Sequence, residues 1–122
     1  MSLMVPAVVA DGKSLLAEGK VGGRGEELLA VETAYASQQY RRVWELAWAL
    51  EPRLSEAGRW LDVIASQKLA LAAALRLDDW LLQGHSHLAL GRASAVLGDA
   101  RRARQQLAEG ACILRALGVS ID

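Results

Sequence analysis

The stretch "LALGRASAVLGDARRARQQLAEGACIL", Leu88–Leu114, decides the fold, because a looser copy of it begins 40 residues earlier. That copy is "WALEPRLSEAGRWLDVIASQKLALAAAL", Trp48–Leu75. At this offset Leu50 matches Leu90, Gly58 matches Gly98 and Leu77 matches Leu117. Ala47 stands against His87, Val63 against Ala103, and Ala70–Leu71 against Gly110–Ala111. Self-similarity at a fixed period marks a supersecondary unit that stacks on copies of itself.

Both copies, and the residues around them, read at helical period. No stretch alternates with period two, Phe is absent, and Val and Ile are scattered, so strands are not expected. Helices are predicted over about 26–38, 40–57, 59–77, 79–97 and 99–117, with a weaker one over 6–18. Val43, Leu46, Ala47, Leu50 and Leu54 form the stripe of the second of these. Pro52 lies inside that stripe and predicts a kink, since it removes the bond to the Trp48 carbonyl. Asp79 and Asp99 suit N-caps, and Gly58, Gly98 and Gly118 suit C-terminal positions at positive φ. "GKVGGRG", Gly19–Gly25, holds too many glycines for a helix and reads as a hinge. Two- or three-residue loops force sequential helices to be antiparallel neighbours. The fold expected is all-α: a right-handed stack of antiparallel helical hairpins, five to six helices, with residues 1–25 as an N-terminal segment and 26–122 as the repeat domain.

Composition limits what such a stack does. Hydrophobic residues make up 52% of the 122, enough for a packed core and too many for a disordered chain. Lys+Arg and Asp+Glu are both 14, and this balance argues against direct nucleic-acid contact, which needs a basic excess. The one cysteine, Cys112, excludes an intrachain disulfide and fits a cytoplasmic setting. The apolar run Leu69–Leu75 is too short to span a bilayer, so no membrane role is expected.

Within this pattern "LGRASAVLGDARRARQQL" resembles the tetratricopeptide repeat. Leu90–Gly91, Ser94, the turn Gly98–Asp99, Ala103 and Leu107 carry the resemblance. Gly110 stands where Ala is usual. The earlier copy departs further, with Glu51 for the Gly and Gln67 for the large apolar residue. Over about 40–117 the chain also looks like the longer helical repeats at the tail of actinobacterial multidomain regulators. Those carry a DNA-binding head and a nucleotide-binding switch domain. The resemblance implies a non-catalytic repeat that binds a protein or peptide, or contacts other domains of the same regulator.

The chemistry-bearing residues are sparse. "DGKS", Asp11–Ser14, ends like a phosphate-binding loop, but Ala7 stands where that motif needs Gly. His85 and His87 are two apart, so on a helix they face different sides and cannot share a metal. The spacing places His87 in the packing and His85 on the surface. Leu88 breaks the Gly-x-Ser-x-Gly pattern around Ser86. Cys112 aligns with Ala72 and is expected as a small core residue. No nucleophile, base and oxyanion site occur together, so neither an enzyme nor a cofactor is expected. Arg101, Arg102 and Arg104 read as a solvated face.

The four tryptophans stand out. Trp44, Trp60 and Trp80 are expected to fill core where hairpins meet. Trp48 corresponds to Leu88, on the side that resembling repeats turn toward their concave groove. Glu45, Ser55, Glu56, His85, Arg92 and Ala95 share that side. Glu45, Trp48, Ser55, His85 and Arg92 are therefore the candidate partner-binding groove. The rival readings are an effector-sensing domain that takes a small ligand, and a free-standing helical dimer. The last helix bears Ala103, Leu107, Ala111, Leu114 and Leu117 toward its own hairpin, and Ala100, Ala108, Cys112 and Ile113 on other faces. A second apolar stripe calls for a further neighbour, and predicts a homodimer.

Overall fold

The computed structural model describes residues 25–120, which form five α-helices and no strand. They are α1 (Gly25–Ala36), α2 (Tyr40–Glu56), α3 (Trp60–Arg76), α4 (Trp80–Val96) and α5 (Ala100–Ala116). The bounds agree with the periodicity to within two residues, and Gly25, read as hinge, opens α1. The helix expected over 6–18, most of the expected hinge and Asp11–Ser14 lie outside the described residues. Each helix packs on the next in sequence, and α1 also reaches α3. The result is an all-α stack of antiparallel hairpins. α2 runs through Pro52 as one uninterrupted helix.

The period is finer than the 40 residues legible in the sequence. Helices α2 to α5 each have 17 residues and begin at Tyr40, Trp60, Trp80 and Ala100, every 20 residues. The turns between them are near-copies. One residue sits at positive φ after each of the five helices: Gln38 (61°), Gly58 (74°), Asp78 (55°), Gly98 (85°) and Gly118 (79°). Its N–H bonds the carbonyl three back, as Gly98 does to Ala95 at 3.0 Å. The next N–H reaches five back, as Asp99 does to Ser94 at 2.9 Å. This is the Schellman closure, and it satisfies carbonyls that a helix end would otherwise strand.

That second residue is also the N-cap of the following helix. The carbonyls of Gln39, Arg59, Asp79 and Asp99 accept the first helical bonds from Val43, Val63, Gln83 and Ala103. Asp79 and Asp99 add side-chain caps, accepting from the N–H groups of Leu82 (3.0 Å) and Arg102 (3.1 Å). Arg59 has no acceptor to offer. Its guanidinium instead bonds Asp62 (3.0 Å) and Glu27 (3.1 Å), and Glu27 also receives Arg53 (3.2 Å). This cluster ties the first turn of α1 to the turn between α2 and α3.

With all four turns alike, the helices bury equivalent positions. Residues four, eleven and fifteen after each N-cap are buried throughout. They are Val43, Leu50 and Leu54 in α2, Val63, Ala70 and Ala74 in α3, Gln83, Leu90 and Ser94 in α4, and Ala103, Gly110 and Leu114 in α5. Steps of seven and four keep one helix face inward. Where α4 crosses α5 the backbones nearly touch, since a Cβ on Gly110 would stand 2.9 Å from the Gly84 carbonyl oxygen. Ala does not fit there, which accounts for the departure from the resembling repeats.

Three expectations about burial are corrected. Trp80 is not core; it is 55% exposed. Its counterpart in α2, Tyr40, is enclosed edge-on by Tyr35 and stacked under Arg76. Leu75, which corresponds to Tyr35, is itself exposed and cannot cover Trp80. Cys112 is exposed rather than a small core residue, because no described helix lies beyond the outer face of α5. Leu117 is exposed and Ala111 only half-buried instead of filling their own hairpin, whereas Leu107 does lie over Gly91 of α4 as expected. Ala103, Gly110 and Leu114 are the fully buried part of that packing.

No atom lies within 4 Å of a Cβ on Gly98, so any penalty there is purely one of backbone conformation. Gly98→Val is expected to destabilise by about 1–2 kcal/mol, and Gln38→Gly to stabilise by about 0.5–1 kcal/mol. Urea unfolding followed by circular dichroism checks both signs; an unchanged midpoint for Gly98→Val contradicts the turn argument.

Gln67 tests the core. It is buried, its Nε2 makes a long 3.4 Å bond to the Ala47 carbonyl, and its Oε1 has no partner. A buried polar atom left unpaired costs more than its partner bond returns, so Gln67→Leu is expected to gain about 1 kcal/mol. A fall in thermal midpoint would show that the amide is better satisfied than its geometry indicates.

Candidate binding surfaces on the hairpin stack

Trp44 and Trp48 lie one turn apart on α2, and their rings stack with centroids 4.9 Å apart and planes at 15°. Trp44 is buried among Ala47, Ala70, Ala74 and Leu82. Its indole N–H donates to Ser86 Oγ (2.9 Å) and to the Leu82 carbonyl (3.3 Å), both on α4. That pair of bonds joins one hairpin to the next and fixes the ring. Trp48 leans on this fixed ring, meets His85 edge-on at 5.6 Å, and remains 45% exposed. Its outward face is an aromatic plate backed by core rather than a mobile side chain.

The structure brings together Trp48 and His85 of the five predicted groove residues. Glu45 and Arg92 are exposed on the same two helices, and the Ser55 hydroxyl donates to Glu51 at 3.1 Å. His85 is half-buried rather than a free surface residue. His87 joins the α4–α5 packing as predicted, with Nδ1 2.7 Å from Gln106 Oε1. Trp60 is partly buried against the main core cluster, in keeping with its expected filling role. Arg101, Arg102 and Arg104 are exposed on α5. Among the described residues no group of three His, Cys, Asp or Glu side chains could hold a metal, and no helix is long and apolar enough to cross a membrane.

A second surface was not read from the sequence. Between α3 and α5 lies a cleft of about 650 Å³, and none of the five predicted groove residues lines it. Leu90 and Ser94 of α4, with Leu97 just past its end, form its floor. Its α3 wall is apolar apart from Lys68, and its α5 wall presents Asp99, Arg102 and Gln106. The signal was present: Leu61, Ile64, Leu71 and Leu75 recur at helical spacing on a face of α3 separate from Val63, Ala70 and Ala74. The apolar run Leu69–Leu75 hid it, since a helix apolar on most sides shows no clear stripe.

Compared with protein families, with characterised proteins and with solved structures, the chain matches none. The surfaces therefore have to be read from their own chemistry.

The two tryptophans should respond differently to removal. Trp44→Ala empties a buried site and orphans Ser86, and is expected to cost about 3–5 kcal/mol. Trp48→Ala removes a half-exposed ring and should cost about 1 kcal/mol, with the helical dichroism unchanged. Equal losses in a denaturant titration would place Trp48 in the core and remove it from any binding surface.

Proposed function

We propose that this chain is a non-catalytic protein-interaction module, a tetratricopeptide-like stack that binds a peptide or a neighbouring domain through the α2–α4 side. The observation that carries the reading is Trp48, held out to solvent on a ring that Ser86 and Leu82 lock in place. A pre-oriented aromatic loses little entropy on binding, and such residues dominate the energetics of protein interfaces. Glu45 and Arg92 offer charges of both signs on the same two helices, suited to orienting a peptide. The resemblance to the tails of multidomain regulators supports a setting in which the partner is another regulator domain, in the cytoplasm. In that setting the contact transmits state and performs no chemistry.

Peptides selected against the full chain by display, then measured by calorimetry, test the reading. Trp48→Ala is expected to weaken them at least ten-fold, about 1.4 kcal/mol, while the fold is retained. A thermal screen against small metabolites supplies the rival outcome. A true effector at 100 times its Kd raises stability by about 2.7 kcal/mol. Such a ligand, together with no Trp48-dependent peptide, would replace the interaction reading by a sensing one.

A further inference from the structure

We propose a second docking site, distinct from the Trp48 surface: the cleft between α3 and α5 accepts one amphipathic helix carrying an acidic residue at the middle of its apolar edge. The α3 wall is Leu61, Ile64, Lys68, Leu71 and Leu75. These are spaced three, four, three and four, the seam by which one helix packs along another in a coiled coil. Leu61 and Leu75, its two ends, are 71% and 59% exposed. Large aliphatic side chains this exposed, in line on one helix, mark an unpartnered interface rather than scattered surface residues. The seam runs for about 21 Å at 1.5 Å per residue, so its complement is a helix of about four turns.

Charge identifies the occupant. Lys68 is the one polar residue on the seam and stands at its centre, exposed and with no acid beside it in the cleft's α3 wall. Across the cleft Arg102 lies against Asp99, with Nε 3.5 Å from Oδ2, so that wall adds no net negative charge. A second copy of α3 is a poor complement. Pairing the seam with itself brings two Lys68 ammonium groups to the middle of an apolar interface, where burying like charges is costly. A single polar residue at such a position selects partner and register at the expense of stability. The partner that satisfies both the leucines and Lys68 has leucine-type residues at the seam spacing and a Glu or Asp between them. Its apolar edge lies on α3 and on Leu90 and Leu97, and its acid meets Lys68.

Two fluorescein-labelled synthetic helices test this against the full chain by anisotropy. They share leucines at the seam spacing and differ only at the central seam position, Glu in one and Lys in the other. The Glu peptide is expected to bind at least ten-fold tighter, and Lys68→Glu to reverse the order. Leu61→Gln with Leu75→Gln should abolish both, and Trp48→Ala should change neither, since Trp48 lies outside the cleft. All four substituted side chains are exposed, and helical dichroism verifies that each variant folds. Absent or equal binding of the two peptides overturns the proposal, as does an order that Lys68→Glu leaves unchanged. So does a dimer in light scattering that Leu75→Gln dissociates, because the seam then belongs to a second copy.

Discussion

The structure depends on one constraint: three residues must end a helix, reverse the chain and begin the next helix. They do so because one residue serves two helices. Asp99 donates its N–H back to Ser94, closing α4, while its carbonyl and carboxylate open α5. The same double use recurs at Gln39, Arg59 and Asp79. Such a turn leaves no slack, so each helix is held antiparallel to the last and at a set rotation about its own axis. Rotation is what decides the buried face. Equivalent turns therefore bury equivalent positions, although the side chain at one such position changes from Val43 and Val63 to Gln83 and Ala103. The cost falls on the residue at positive φ, and it is least where that residue is glycine.

Within this frame the side chains set how far apart helices stand. α4 and α5 approach until backbone meets backbone at Gly84 and Gly110. α3 and α5 leave a cleft, floored by α4 and walled by two helices of unlike character. Small residues let α5 lie close on α4, while Leu61 and Leu75 of α3 stay exposed. Those leucines are then left without the neighbour their spacing suits.

The aromatic plate arises differently, from coupling between hairpins. Trp44 bonds across to α4, and the polar groups it needs, Ser86 and the Leu82 carbonyl, are buried with it. A buried indole N–H requires such a partner, and finding one stops the ring from turning. Trp48 inherits that order by stacking. The two candidate surfaces, one lined by α2 and α4 and the other by α3 and α5, thus follow from two separate packing events and can be varied independently.

Local chemistry determined a good deal from the sequence by itself. The helix bounds, the caps Asp79 and Asp99 and the positive φ at Gly98 all rest on residues within a few positions of one another. Such effects act over one or two turns and can be read along the chain. What only the tertiary structure decided depends on distant neighbours. Trp80 and Tyr40 hold the same place in their helices, yet only Tyr40 is enclosed, because Tyr35 and Arg76 come to it from other helices. Cys112 lies outside because no described helix covers its side of α5. The Glu27 cluster joins residues up to 35 apart, Glu27 to Asp62 through Arg59, with no local pattern to announce it. The leucine seam on α3 was visible as letters, but whether a helix covers it depends on the distance between α3 and α5. That distance is set by packing among three helices, and no single stretch of sequence contains it.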